Sequence, residues 1–181
     1  MSANVKHLTS IVVLNYNAGD LLLNCIESVY KTQTHKFEVI VVDNISTDSS
    51  HKKCKEKFPQ IRLIENKENL GYCEGNNVGI RNANGEFIVI LNPDTKVESN
   101  WLEELFNAYE KFGDGLYQPK IIAFEDNLFE SGGNMLQMFG FGYSKGRGMP
   151  DLGQFDESGE IGYASGACLF TKTNILKKIG L

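Results

Sequence analysis

Three stretches of this chain combine an apolar run with an abrupt polar ending. Residues 10–17 read SIVVLNYN, residues 37–44 read FEVIVVDN and residues 87–95 read FIVILNPDT. Each run has the look of a strand buried on both faces. Asn15, the Asp43–Asn44 pair and Asn92–Pro93–Asp94 therefore stand where three strands stop. In an open parallel sheet, ligands bind in the crevice outside the carboxyl ends of the strands. Amides and carboxylates delivered there can hydrogen-bond a polar ligand or hold a cation. Asn and Asp are also ordinary turn formers and helix caps, which would explain any one of the three ends more comfortably than all of them together.

Asp94 carries the most specific chemistry. Pro93 removes a backbone donor, fixes φ and disfavours helix at Asn92, so the chain reaches Asp94 in a rigid, extended form. A hard cation such as Mg²⁺ or Mn²⁺ takes oxygen ligands, typically one or two carboxylates together with substrate phosphates. The competing reading of Asp94 is an Asx turn leading into the next helix. No GxxxxGK[ST] loop is present, and the first strand runs into NYNAGD with no GxGxxG. A P-loop triphosphate site and a Rossmann dinucleotide site are therefore disfavoured. A diphosphate held without either device needs a metal to balance its charge. Asp43, at the second strand end, lies where the base or ribose of a nucleoside could be read by hydrogen bonds.

Residues 68–86, ENLGYCEGNNVGIRNANGE, place Gly71, Gly75 and Gly79 one every four residues. On a helix these form one stripe, open to close packing on a sheet or to close approach of a ligand. Asn76, Asn77 and Asn82 on the same segment are mediocre helix formers whose amides can read the donor and acceptor of a base.

The elements that must position these groups alternate. A helix with Leu21, Leu22, Cys25, Ile26 and Val29 at helical spacing follows the first strand, with Asp20 as its cap. The segment STDSSHKKCKEKF starts another helix, with Pro59 beyond its end, and residues 61–66 make a short third strand. A helix over residues 73–84 stops at Gly85. Ser99 caps one in which Trp101, Leu102, Leu105, Phe106 and Tyr109 share an apolar face. The pattern predicts an α/β domain with a largely parallel sheet. Beyond about residue 115 the alternation fades, and Gly-rich hairpins and loops follow before strand character returns at IGYASGACLFTK. The chain reads as a single domain over 1–181, with the alternating half to about residue 115 and, over about 116–181, loops that fold over the sheet as an acceptor-side or lid region would.

Composition narrows the partners. The net charge of −5, with no basic block, argues against nucleic acid. Cys25, Cys54, Cys73 and Cys168 form no CxxC pair and read as buried free thiols in a reducing compartment. The N-terminus lacks the apolar core of a leader and no stretch approaches about 18 apolar residues, so a cytoplasmic location is expected. Peripheral contact with a membrane stays open.

Taken in order, IVVLNYNAGDLLLNCIESV, FEVIVVDNISTDSS, ENLGYCEGNNVGIRNANGEFIVILNPDT and YASGACLF resemble the inverting glycosyltransferases of family 2, with the GT-A fold. NLGY…GNN.GI and LNPD are most similar to its rhamnosyltransferase-like branch. The resemblance implies transfer of a sugar from a nucleotide-diphosphate donor, UDP- or dTDP-linked, to a hydroxyl of a glycan or lipid-linked acceptor, in the making of surface polysaccharide. It also implies a divalent metal, Mg²⁺ or Mn²⁺. Asp43 would contact the base, with Asn15, Tyr16 and Asn17 beside the nucleoside and Asn69, Gly71 and Asn76 around base and ribose. Asp94 would match the last acid of the family's metal-binding Asp-x-Asp motif, and Asn92 stands where its first acid is usual. Ser165 and Gly166 would lie near the acceptor. Family members carry a Glu-Asp pair beyond the position of Leu181, one of which serves as general base. Of the acids present here, Asp126, Glu130, Asp156 and Glu157 lie nearest, none with a motif. The alternatives are a non-catalytic nucleotide-sugar-binding module, a nucleotidyltransferase lacking the expected basic loop after the first strand, and a dehydrogenase lacking its glycine fingerprint.

Overall fold

The computed structural model describes residues 7–32 and 35–181. Met1–Lys6, read above for a leader, lie outside the described residues. Four strands run parallel: β1 (Leu8–Asn15), β2 (Lys36–Asp43), β3 (Arg62–Glu65) and β4 (Phe87–Leu91). With β9 (Cys168–Lys172), antiparallel to β4, they form one sheet in the order β3-β2-β1-β4-β9.

Successive side chains of a strand point to opposite faces, so the continuous apolar runs feed two cores. Ile11, Val13, Val39, Val41, Phe87 and Val89 pack against α1 (Asp20–Tyr30), α2 (Ser50–Lys57) and α4 (Trp101–Phe112). Val12, Ile40, Val42 and Ile88 face the other way, onto Ile80 of α3 (Gly71–Arg81) and Leu176 of α5 (Thr173–Ile179). The expected α/β architecture with helices on both faces is the one found.

Helix α3 begins two residues earlier than the pattern predicts and ends three earlier. Gly71 has φ of 72°, a left-handed conformation that lets the chain turn sharply into the helix. At the far end the Asn82 amide folds back onto the Val78 carbonyl at 2.8 Å, and its oxygen accepts from Arg62 at 2.7 Å. Arg62 opens β3, so Asn82 sits at the amino end of the strands, away from the rim where a base would be read. The glycine stripe also resolves. A Cβ on Gly75 would lie 2.6 Å from Leu14 Cδ1, and one on Gly79 2.3 Å from Val12 Cγ1. Both glycines let the helix approach the sheet, whereas Gly71 has open space around it. Cys73, two residues from Gly75 and so about 200° around the helix, faces solvent. The expectation of four buried thiols therefore fails at this one. Burial pushes the thiols of Cys25 and Cys168 up to about 12 and that of Cys54 up to about 11.

Two helix starts differ from expectation. Gly19 and Asn100, not Asp20 and Ser99, flank α1 and α4, and no side chain caps either. Beyond α4, β5 (Ile121–Ile122) pairs with β6 (Phe129–Ser131), and β7 (Asn134–Leu136) pairs with β8 (Gly142–Ser144). Of these two pairs, β7–β8 lies within the Gly-rich stretch read as hairpins and loops. Among the described residues no helix is long and apolar enough to cross a membrane.

Gly79→Ala tests the close packing. The added methyl meets a β-branched valine already in the core, and overpacking of this kind costs about 1–3 kcal/mol. Urea unfolding should show that loss, and pairing the change with Val12→Ala should recover part of it.

Candidate functional site

The strand order reverses between β1 and β4, since β2 and β3 lie to one side of β1 and β4 to the other. The carboxyl ends at this reversal form the crevice in which sheets of this kind bind ligands. Asn15 stands directly opposite Asp43 in the β1–β2 register, and both are buried. Asn15 Nδ2 faces Asp43 Oδ1 at 2.7 Å, Ser50 Oγ at 2.8 Å and Ser46 Oγ at 3.0 Å. The other Asp43 oxygen accepts from the Ser46 backbone N–H at 2.9 Å. Next to it the buried Asn44 amide donates to Gly71 O and Asn69 Oδ1, and accepts from Asn66 Nδ2 at 2.7 Å.

The turns after β1 and β2 are laced together. Asn17 Oδ1 accepts from Thr47 N at 2.8 Å, and Ser46 Oγ accepts from Asn17 N at 2.9 Å. Asp48 accepts from Gly19 N at 2.8 Å through one oxygen and from Ser50 N and Oγ through the other. Asn17, Ile45 and Ser49 all have positive φ. For a β-branched residue such as Ile45 this is rare and costs about 1–3 kcal/mol. The bonds on either side hold it there. Tyr16 and Ile45, one from each turn, are half exposed and offer apolar surface.

From the other side of the sheet, the start of α3 reaches the same rim. Gly71 N donates to Asn69 Oδ1 at 2.9 Å. Tyr72 Oη donates to the Gly166 carbonyl at 2.8 Å, and a Cβ on Gly166 would lie 2.3 Å from that hydroxyl. Asn76 is buried, with its Nδ2 on the Tyr72 carbonyl at 2.9 Å. Asn92 N donates to Ala167 O at 3.0 Å, which sets the end of β4 against the turn containing Ser165 and Gly166. That turn is fixed in its own way: Gln118 Oε1 accepts from Ser165 N and from Asn134 Nδ2, both at 2.7 Å.

Asp94 is exposed just past Pro93, and among the described residues no side chain or backbone group hydrogen-bonds its carboxylate. It stands on the rim of an open cleft of about 500 Å³ lined also by Leu21, Asn24, Lys31, Lys96 and Phe124. No group of three or more metal-ligating side chains occurs among the described residues. The single Asp94 carboxylate therefore does not make a cage built by protein alone.

The structure thus joins Asn15, Asn17, Asp43, Asn69 and Gly71 in one hydrogen-bonded cluster, and sets Asn92 against the Ser165–Gly166 turn. Reading the chain alone placed Asn44 at a strand end but missed Ser46, Asp48, Gln118 and His51 as parts of this assembly. DNISTDSS did show capping candidates, but nothing local reveals that Asp48 and Ser46 bond the β1 turn. His51 is buried on the first turn of α2, with Nδ1 3.4 Å from Asp43 Oδ1 and Nε2 3.3 Å from Glu65 Oε1.

Burial disfavours the charged form of Asp48, but donors from Ser50, Gly19 and its own backbone outweigh this and hold its carboxyl below the usual range. A depressed carboxyl stabilises the fold fully above its ordinary value of about 4 and loses that contribution as pH falls through the folded-state value. Asp48→Asn should therefore cost about 1 kcal/mol at neutral pH. Urea titrations run at successively lower pH should show the gap to wild type closing below about pH 4.

Comparison with known proteins bears on this geometry. The family model described as glycosyl transferase family 2 matches residues 10–180. The glycosyltransferase GlyG of Streptococcus pneumoniae is 34% identical over 134 residues, covering 72% of this chain and 43% of that protein. The low-salt glycan biosynthesis hexosyltransferase Agl10 of Haloferax volcanii is 25% identical, covering 94% of this chain and 54% of its own length. The chain thus spans about half the length of these curated relatives. Among solved structures, the mannosyltransferase PcManGT of Pyrobaculum calidifontis, in complex with GDP-Man and Mn²⁺, matches with a TM-score of 0.67 at 18% identity, over 96% of this chain and 47% of that one. Staphylococcus aureus TarS 1-349 in complex with UDP-GlcNAc matches with a TM-score of 0.60 at 21% identity, over 65% and 35%. These structural likenesses establish the GT-A architecture. The sheet reversal, its polar rim and the match along nearly all of its length make this chain a member of glycosyl transferase family 2.

Proposed function

We propose that this chain is the donor-binding part of an inverting glycosyltransferase that uses a nucleotide-diphosphate sugar, UDP- or dTDP-linked, and passes the sugar to a hydroxyl of a glycan or lipid-linked acceptor in surface polysaccharide synthesis. The observation that carries this reading is the convergence of four separate chain segments, ending in Asn15, Asp43, Asp94 and Gly166, on one rim of the sheet. In this reading Asp43 and the Asn15–Asn17 turn face the nucleoside, with Tyr16 and Ile45 as apolar walls. Asn69, Gly71 and Asn76 border base and ribose. Asn76 Oδ1 is buried without a hydrogen-bond partner, so a ligand donor reaching it would satisfy a costly group.

Asp94 would hold Mg²⁺ or Mn²⁺, and Asn92 beside it supplies a neutral oxygen where a second carboxylate would bind more tightly. When bound, the cation stabilises negative charge on the departing diphosphate. Ser165 and Gly166 present the acceptor side, their turn set by Gln118. An inverting displacement also needs a base within hydrogen-bond reach of the attacking hydroxyl. Asp156 is paired with Lys120 at 2.5 Å, Glu130 with Arg147 at 3.4 Å, and Asp126 accepts from Leu128 N at 3.0 Å. Three of the four acids nearest in the chain are thus engaged, and it is the family resemblance that puts the general base in a segment past the position of Leu181. The alternative reading is a module that binds the nucleotide sugar without transfer.

Asp94→Ala decides the metal assignment. Its side chain lies outside the core, so the variant should keep the wild-type melting temperature. Calorimetric titration with UDP and dTDP should show that affinity gained on adding Mn²⁺ to wild type is lost in the variant. Unchanged affinity in the presence of Mn²⁺ would refute the role. Turnover of a labelled UDP- or dTDP-sugar separates an active enzyme from a binding module.

A further inference from the structure

Asp43 is a carboxylate that is only 2% exposed, and its partners so far are neutral: an amide and a backbone N–H. A buried carboxylate without a compensating charge is expensive. His51 is the one basic group that pairs with it among the described residues, and the ring is itself 4% exposed. Nδ1 lies 3.4 Å from Asp43 Oδ1, near enough for charge pairing, yet it has no aligned hydrogen-bond partner. Nε2 lies 3.3 Å from Glu65 Oε1, whose side chain is largely exposed. Both ring nitrogens therefore face carboxylates, one from β2 and one from β3. Among the described residues these two acids are the charged groups that pair with the ring; Asp48 lies at the same helix start, bonded to Ser50, and Glu27 of α1 pairs with Lys57 at the far end of α2.

Carboxylates only accept, and a neutral imidazole carries one N–H. The neutral ring can serve Asp43 or Glu65 but not both. The doubly protonated ring serves both and cancels the buried charge. Its place on the first turn of α2 opposes this, because a helix amino terminus disfavours cations. The two carboxylates are what offset that opposition.

We infer that His51 is a positioning residue which, when protonated, bridges Asp43 and Glu65 and holds the Asp43 carboxylate in the orientation that nucleotide binding uses. Donor affinity is thereby coupled to pH through a residue that does not touch the donor. The consequence for affinity rests on the donor reading given above; the bridge does not.

Two measurements decide it, and they fail separately. The first needs no ligand. Urea unfolding of wild type, His51→Asn, Asp43→Asn and the double variant gives the coupling between the two side chains at about pH 6 and about pH 8. The coupling should be larger at the lower pH; equal coupling at both overturns the bridge. His51→Gln serves if His51→Asn does not fold. The second is calorimetric titration with UDP and dTDP, in Mg²⁺, over the same range. Wild-type affinity should rise about tenfold as pH falls, a typical coupling between two sites, while His51→Asn stays flat. Parallel profiles for the two proteins overturn the coupling to donor binding. If wild type binds neither nucleotide, the donor reading falls, and the unfolding cycle still decides the bridge.

Discussion

The hydrogen bond between Asn15 and Asp43 is the constraint from which the rest of the rim follows. Both groups are buried at the ends of adjacent parallel strands, where neither can be left to water. A buried polar group without a partner costs about 1–3 kcal/mol, more if charged. The chain therefore brings Ser46, Ser50 and the Ser46 backbone into the same few ångströms. To do so the β2–α2 turn passes through left-handed residues at Ile45 and Ser49, and Asp48 crosses to the β1 turn to hold it. Strain of this kind persists only where surrounding bonds over-determine it. It concentrates at the carboxyl end of the sheet, the end at which open parallel sheets bind ligands.

The apolar frame and the polar rim are made by the same residues taken in order. Alternation along β1 sends Ile11 and Val13 to one core and Val12 to the other, so the strand is locked from both sides before it reaches Asn15. Close contact at Gly75 and Gly79 draws α3 down onto β1 and β2, and this brings Gly71 within reach of the Asn44 amide. A helix standing farther off would leave Asn44 with an empty side. Packing in the core and satisfaction at the rim are thus one problem.

The second half of the chain is tied to the first by few but well-placed bonds. Tyr72 reaches Gly166 across the sheet reversal, Asn92 holds Ala167, and Gln118 binds the Ser165 turn to the base of the β7–β8 hairpin through Asn134. Ser131 and Ser144 both donate to the Asn134 oxygen, at 2.9 and 2.8 Å, which closes that network. The Ser165–Gly166 turn is therefore mounted on a hydrogen-bonded base, although little regular secondary structure surrounds it.

Much of this was open to reading from residue order alone. Continuous apolar runs with polar ends are a strong local signal, because a strand buried on both faces has no other composition available to it. They disclosed the α/β class, the four parallel strands and the three polar ends along the carboxyl edge of the sheet, of which Asn15 and Asp43 bond to one another. The Pro93–Asp94 step was equally local, since proline acts on its own neighbours. What chain order left open was every choice made across the sheet. Whether Gly75 and Gly79 admit a ligand or a strand depends on Leu14 and Val12, about 60 residues away in sequence. Whether Asn82 faces the rim depends on Arg62, and whether Asp20 or Asp48 serves the start of α1 depends on where the β2 turn lies. His51 gives no sign in sequence, being one polar residue in a helix start. Only the tertiary structure buries it between two carboxylates, because the β2–β3 register sets Asp43 beside Glu65 and α2 packs over that pair.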